Sequence, residues 1–255
     1  MPASRRRPLA AGVLALGLAG PALLAGCGGD EQRPVGDRVT AEEAGVLGGL
    51  LSRNAEQGGA AFVASAPYGA DGVLTLTGEV DLDGRAGRAQ AVADPGNGGP
   101  ELTRTVFFTA DDVWLGDVPG LADVLSAAGL PAASYVRRPL AEGDAPPLTD
   151  VLVQVVLGLA AEEADDPAAF LGGGYRWQGD RSIDGELTSV YGAESGWTVA
   201  VDRSSELLVQ FAAPVGGTDA TVTLSEHGPR TIALPRDEET VDGPAHPEVA
   251  ATVGL

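Results

Sequence analysis

The 255-residue sequence predicts an α+β domain built on a large curved antiparallel sheet of about ten strands, packed with two or three helices. Three observations carry that expectation. Thr40-Ala41-Glu42-Glu43 is a capping box at the head of a helically periodic stretch. After Ala60 the period switches to two, in short runs bounded by turn residues. Those runs fall into two groups separated by a helical middle.

The first helix is expected over residues 41–56, with Val46, Leu47, Leu50 and Leu51 on its buried stripe. In the run 74–82, Leu74, Leu76, Val80 and Leu82 share one face, while Thr75, Thr77, Glu79 and Asp81 share the other, as in a half-buried strand. Asp83-Gly84 supplies a hairpin turn, and strands follow over 85–93, 102–109 and 113–115, with a Pro/Gly loop at 95–100. The middle reads as helix at 121–128, a Pro-rich loop at 138–147, helix at 148–161 and a short helical piece at 167–171. Strands resume at 175–178, 186–191, 197–201, 207–211, 220–224 and 231–234. The domain is thus expected over 40–236, with 237–255 an acidic loose tail that carries Asp237, Glu238 and Glu239 and then Pro244 and Pro247.

The chain opens with Arg5, Arg6 and Arg7, an apolar stretch over 9–24, and Leu24-Ala25-Gly26-Cys27. This box resembles the lipobox of bacterial lipoproteins. The resemblance implies removal of residues 1–26, a thioether-linked diacylglyceryl group on Cys27, and anchorage at the outer face of the cytoplasmic membrane. Two alternatives are a secretory signal with an accidental cysteine and an uncleaved span. The second is poor, because residues 9–26 hold four glycines and Pro21. Cys27 is the only cysteine, so an internal disulfide is impossible and lipidation gives the residue a reason. Residues 27–39 read as a flexible tether; 12 residues of such chain span about 20 Å.

Thirty-six acidic residues against sixteen basic ones give a formal net charge of −20, and loss of three leader arginines moves it to −23. Such a surface repels phosphate backbones, which argues against a nucleic-acid partner. Every basic residue is arginine, a composition typical of GC-rich genomes such as those of actinobacteria.

Asp111-Asp112-Val113-Trp114-Leu115, residues 183–191 (Ile-Asp-Gly-Glu-Leu-Thr-Ser-Val-Tyr), Val199-Ala200-Val201-Asp202 and Ile232-Ala233-Leu234-Pro235, in this order behind a lipobox, resemble the actinobacterial LppX/LprAFG lipoproteins. More distantly the pattern is similar to the LolA and LolB lipoprotein carriers. The resemblance implies a half-barrel sheet wrapped around its helices, with an apolar cavity between them for the acyl chains of a lipid or glycolipid. It carries no catalytic motif and no cofactor.

Candidate cavity residues are chosen by apolar character. Leu76 comes from the strand at 74–82, and Val106, Phe108 and Trp114 from neighbouring strands. Leu152, Val153 and Val156 come from a segment that leaves only Gln154 polar over seven residues. Each has a second reading as ordinary core, and Trp177, Tyr191 and Trp197 share that ambiguity in the second group of strands. His227 and His246 lack neighbours at zinc-ligand spacing. Residues 192–196 miss the Gly-x-Ser-x-Gly elbow by one position, and no lysine exists for amine chemistry. Asp81 and Asp83 form only a fragment of a calcium loop, and the acidic runs at 162–166 and 237–239 read as solvated faces.

The expected function is therefore a non-catalytic envelope lipoprotein that binds acyl chains and passes them on. The alternatives are an interaction module with a filled core and, disfavoured, a secreted hydrolase; a protein partner is not legible. Cys27→Ser should abolish diacylglyceryl attachment and leave an unprocessed precursor, read by labelled palmitate incorporation; persistent labelling would sink the assignment.

Overall fold

The computed structural model describes residues 33–143, 145–215 and 217–253; Cys27 and its lipobox lie outside the described residues. The chain begins with two short helices, α1 (Ala41–Gly48) and α2 (Leu50–Gln57). A first meander follows: β1 (Gly59–Tyr68), β2 (Gly72–Asp81), β3 (Ala86–Asp94), β4 (Leu102–Thr109) and β5 (Asp112–Leu115). Next come α3 (Leu121–Ala127), β6 (Tyr135–Pro139), α4 (Leu148–Leu157) and α5 (Pro167–Gly172). The second meander is β7 (Arg176–Ile183), β8 (Glu186–Gly192), β9 (Thr198–Asp202), β10 (Leu208–Val215) and β11 (Thr218–Ser225). A 3₁₀ turn (Asp237–Glu239), β12 (Thr240–Asp242) and α6 (Pro247–Val253) close the chain.

The strands form one open, curved sheet in the order β12-β6-β5-β4-β3-β2-β1-β11-β10-β9-β8-β7. The two meanders are joined where β1 pairs with β11, in the middle of the sheet. Every pairing is antiparallel except β12 on β6. The expected fold class is the one observed, with twelve strands where about ten were expected.

Period-two patterning decides which face is buried. Ala60, Phe62, Ala64 and Ala66 of β1, Leu74, Leu76 and Val80 of β2, and Val106 and Phe108 of β4 all turn inward. Phe108 meets Phe62 edge to face with centroids 6.2 Å apart. Gly87 makes this possible, because a Cβ there would enter the Phe108 ring. Helix α4 lies in the trough on β1, β2 and β11, with Leu152, Val153 and Val156 fully buried.

Its N-terminal turn is pinned by a buried ion pair. Arg138 of β6 sets both terminal guanidinium nitrogens 2.6 Å from the two carboxylate oxygens of Asp150, which is 0 % exposed. The Ala141 N–H donates to the same carboxylate at 2.7 Å, and Gln154 donates to the Ala141 carbonyl at 2.8 Å. Such bidentate, charge-assisted bonds fix geometry as well as adding energy.

Four expectations are corrected here. The helix over 41–56 is two helices that meet at Gly49, with φ −87° and ψ 1°; beside it Gly48 packs so closely on the segment before α5 that a Cβ would lie 2.8 Å from the Asp165 carbonyl oxygen. The carbonyl of Val46, near that break, accepts from the Arg53 guanidinium. The Pro-rich stretch from Arg138 hides the end of a strand, with Pro139 at the last position of β6 opposite Asp112. Residues 231–234 form no strand and join no ladder. Residues 36–39, read as the end of the tether, dock on β7: Gly36 N–H donates to the Trp177 carbonyl at 2.8 Å, Trp177 N–H to the Asp37 carbonyl at 2.9 Å, and Val39 is buried.

The tail is also docked rather than loose. Val241 of β12 and Val249 of α6 are buried, and β12 pairs with β6. Among the described residues its buried apolar side chains are these two valines, too few to show a period in sequence, and backbone bonds such as Gly243 N–H to the Arg137 carbonyl (2.9 Å) add to them. Truncation after Thr240 should therefore lower the unfolding midpoint, since each lost valine contributes about 1.5–3 kcal/mol of burial. An unchanged thermal or urea transition would show the tail to be dispensable.

Candidate functional site

The residues expected to line a cavity separate once the register is known. Phe108 pairs with Val113 and Phe107 with Trp114, so Trp114 faces the outer side of the sheet, opposite to Phe108. Leu76, Phe108, Leu152, Val153 and Val156 are all 0 % exposed and form filled core under α4. Val106, also 0 % exposed, borders a small hollow near the N-terminus of α4. The lipidation residue Cys27 lies outside the described residues.

The open apolar space lies on the other side of α4, beneath the second meander. It is a hollow of about 410 Å³, within the range of small-molecule sites. Its roof is Leu47, Leu50 and Leu51 of the first two helices, with Val155, Gly158 and Leu159 at the C-terminal end of α4. Its floor is Val199, Leu208, Phe211 and Val215 of β9 and β10. Phe170, Tyr175 and Trp197 form the side wall, and Asp165 is the one charged lining residue.

Four of these residues make a continuous aromatic row. Ring centroids are 4.9 Å apart for Phe170 and Tyr175, 5.1 Å for Tyr175 and Trp197, and 6.4 Å for Trp197 and Phe211. The whole chain has only five Phe, four Tyr and three Trp, so this row concentrates them. Such rings present large rigid apolar faces at low entropic cost. Partial burial, then the nearby negative charge of Asp165, raise the Tyr175 phenol above its usual range, so it stays a neutral hydroxyl at the rim.

Local chemistry positions each wall. Asp166 caps α5 by accepting from Ala168 N–H at 2.9 Å, and Pro167 takes the first helical position. The loop before it is tied back to the roof by Asp165 N–H to the Gly48 carbonyl (2.8 Å) and Ala161 N–H to the Leu51 carbonyl (3.2 Å). The turn between β9 and β10 is closed by Asp202, whose carboxylate takes bonds from Ser204 and Ser205 side chains and N–H groups. The Ser204 hydroxyl leads in holding that carboxyl down to about 2.

Asn54 binds roof to floor. It is fully buried; its amide donates to the Leu159 carbonyl at 2.9 Å and its oxygen accepts from Leu208 N–H at 3.3 Å. Leu208 sits where the β9–β10 register shifts, so a side chain takes up an N–H that the ladder leaves over. The reading of the sequence missed Asn54. The one available signal is a polar residue placed where a helix otherwise turns inward.

Of the catalytic candidates, His227 follows β11 with a buried Nε2 that has no partner among the described residues. Burial lowers its pKa, against the opposing pull of Glu186 and of a bond with the Leu208 backbone. It does not line the hollow. Among the described residues no group of three or more metal-ligating side chains occurs, and no helix is long and apolar enough to cross a membrane.

No family model and no curated relative matches the chain. Among solved structures, it is similar to LprF from Mycobacterium bovis, with 15 % identity and a TM-score of 0.46, over 78 % of this chain and 99 % of that one. It is similar to the lipoprotein LppX from Mycobacterium tuberculosis, with 13 % identity and a TM-score of 0.47, over 76 % and 100 %. A further match is an uncharacterized conserved protein from Thermus thermophilus, with 9 % identity and a TM-score of 0.38, over 79 % and 99 %.

Asn54→Leu, which keeps the volume but removes both bonds, should cost about 1–3 kcal/mol by stranding the Leu159 carbonyl and the Leu208 N–H. Urea unfolding measures the loss, and a neutral result would mean that Asn54 does not hold the roof.

Proposed function

We propose that the protein is a membrane-anchored envelope lipoprotein, held by a diacylglyceryl group on Cys27, that takes an acyl chain of a lipid or glycolipid into the hollow beneath the second meander and passes it on without catalysis. The observation that supports this reading best is the hollow itself, whose wall is largely apolar and whose Leu51, Val155, Phe170, Trp197, Phe211 and Val215 stay partly exposed. An open apolar concavity of this kind is a ligand-binding feature rather than a packing one.

Size sets the class of ligand. If a methylene takes about the space of a water, ~30 Å³, then 410 Å³ holds about a dozen of them, or one acyl chain. Their transfer from water contributes about 10 kcal/mol. Lost translational and rotational freedom offsets several kcal/mol of that, which leaves an affinity compatible with both loading and release. The non-carrier alternative draws its support from the first meander, where α4 leaves Leu152, Val153 and Val156 no open space.

A pair of substitutions on one helix tests the proposal. Val155 lines the hollow and is partly exposed, whereas Val153 is fully buried. Val155→Trp should expel lipid detected by native mass spectrometry and block uptake of a fluorescent fatty acid, with little change in unfolding. Val153→Trp should instead destabilise by about 1–3 kcal/mol through overpacking. A wild-type protein that neither carries lipid nor takes up the probe would favour the interaction module.

A further inference from the structure

At the opposite end of α4 lies a second hollow, of about 330 Å³, between the first meander and the N-terminal turn of the helix. Its walls include Leu74, Ala91, Val106 and Leu115, but its charged residues are two arginines, Arg104 and Arg138. In a chain with thirty-six acids and sixteen bases this concentration of positive charge is unexpected.

Arg104 stands in the inward row of β4, paired across the ladder with the buried Ala91, a position where burial favours an apolar residue. Its guanidinium reaches only backbone oxygens, those of Thr103 at 3.0 Å and Asp117 at 3.3 Å. The Asp117 carboxylate is turned instead to the Thr105 hydroxyl. Among the described residues, Arg104 has no carboxylate within ion-pair distance. Arg138 spends both terminal nitrogens on Asp150, yet among the described residues its buried Nε–H has no acceptor. The guanidinium of Arg104, beside an apolar wall and with no carboxylate on it, offers a charge-assisted bond to an anionic head group.

We propose that this second hollow binds an anionic amphiphile, with its carboxylate or phosphate on Arg104 and its apolar body against Leu74, Ala91, Val106 and Leu115. The site is separate from the acyl-chain hollow, since the two share α4 but no lining residue. Its chemistry is also different: the first hollow has one acid at its rim and no cation, while the second has Arg104 beside an arginine that Asp150 neutralises.

The test is equilibrium dialysis of the lipidated full-length protein in phosphatidylcholine nanodiscs, against empty nanodiscs, with octyl phosphate, octanoate, octanol and inorganic phosphate. Octyl phosphate or octanoate should bind more tightly than octanol and than inorganic phosphate, and comparison of the two anions tells which head group the site prefers. Arg104→Gln should weaken the anions about ten- to hundredfold and leave octanol unchanged, as expected for loss of a charged hydrogen bond. Arg104→Lys should restore part of the loss. Ala93→Phe, on a partly exposed wall of the same hollow, should block the anions, whereas Val155→Trp in the other hollow should not. Equal binding of octanol and octyl phosphate, anion binding indifferent to Arg104→Gln, or binding lost with Val155→Trp would each overturn the proposal. Inorganic phosphate as tight as octyl phosphate would overturn the amphiphile.

Discussion

A twelve-stranded sheet with one apolar face must be covered by helices too short to cover it. Eleven inter-strand spacings of about 4.8 Å make an arc of roughly 50 Å, while a ten-residue helix such as α4 is about 15 Å long. Helix α4 covers the centre, on β1, β2 and β11, and stops. Space is left at both of its ends, and the two hollows occupy those ends.

What happens on each side of α4 then depends on side-chain size. The inner face of the first meander is rich in Ala60, Ala64, Ala66, Ala89 and Ala91, with Gly87 flat against Phe108, so the helix sinks close and the core fills. The second meander and α5 instead offer Phe211, Trp197, Tyr175 and Phe170, whose rings prop roof from floor. Asn54 and Asp150 fix the position of α4 between these regimes, one at each end. A buried ion pair of this kind is weak evidence for net stability, but its fork geometry specifies where the helix sits.

The charge distribution follows the same division. The rim of the hollow beneath the second meander carries Asp165 in an exposed acidic loop, whereas the end beside β4 and β6 gathers Arg104 and Arg138.

Much of the architecture was legible from local rules. The capping box at Thr40 forms as read, with Glu43 N–H donating to the Thr40 hydroxyl and Thr40 N–H to the Glu43 carboxylate. The alternation in 74–82 correctly sorts Leu74, Leu76, Val80 and Leu82 inward, and the two groups of strands are the two meanders. These features are set by residues a few positions apart, and so the sequence alone determines them. Whether a buried-looking residue packs or lines a space is set by partners a hundred residues away. Val153 and Val155 have the same side chain two positions apart, yet one faces small alanine-rich strands and the other an aromatic row. The facing of Trp114 turned on a register that alternation cannot supply, because a slip of one residue exchanges the faces. Asn54, with bonds to residues 159 and 208, and the docked Val241 and Val249 carry no local period at all. Only the tertiary structure decided where the hollows lie, because a cavity is a property of what distant side chains fail to fill.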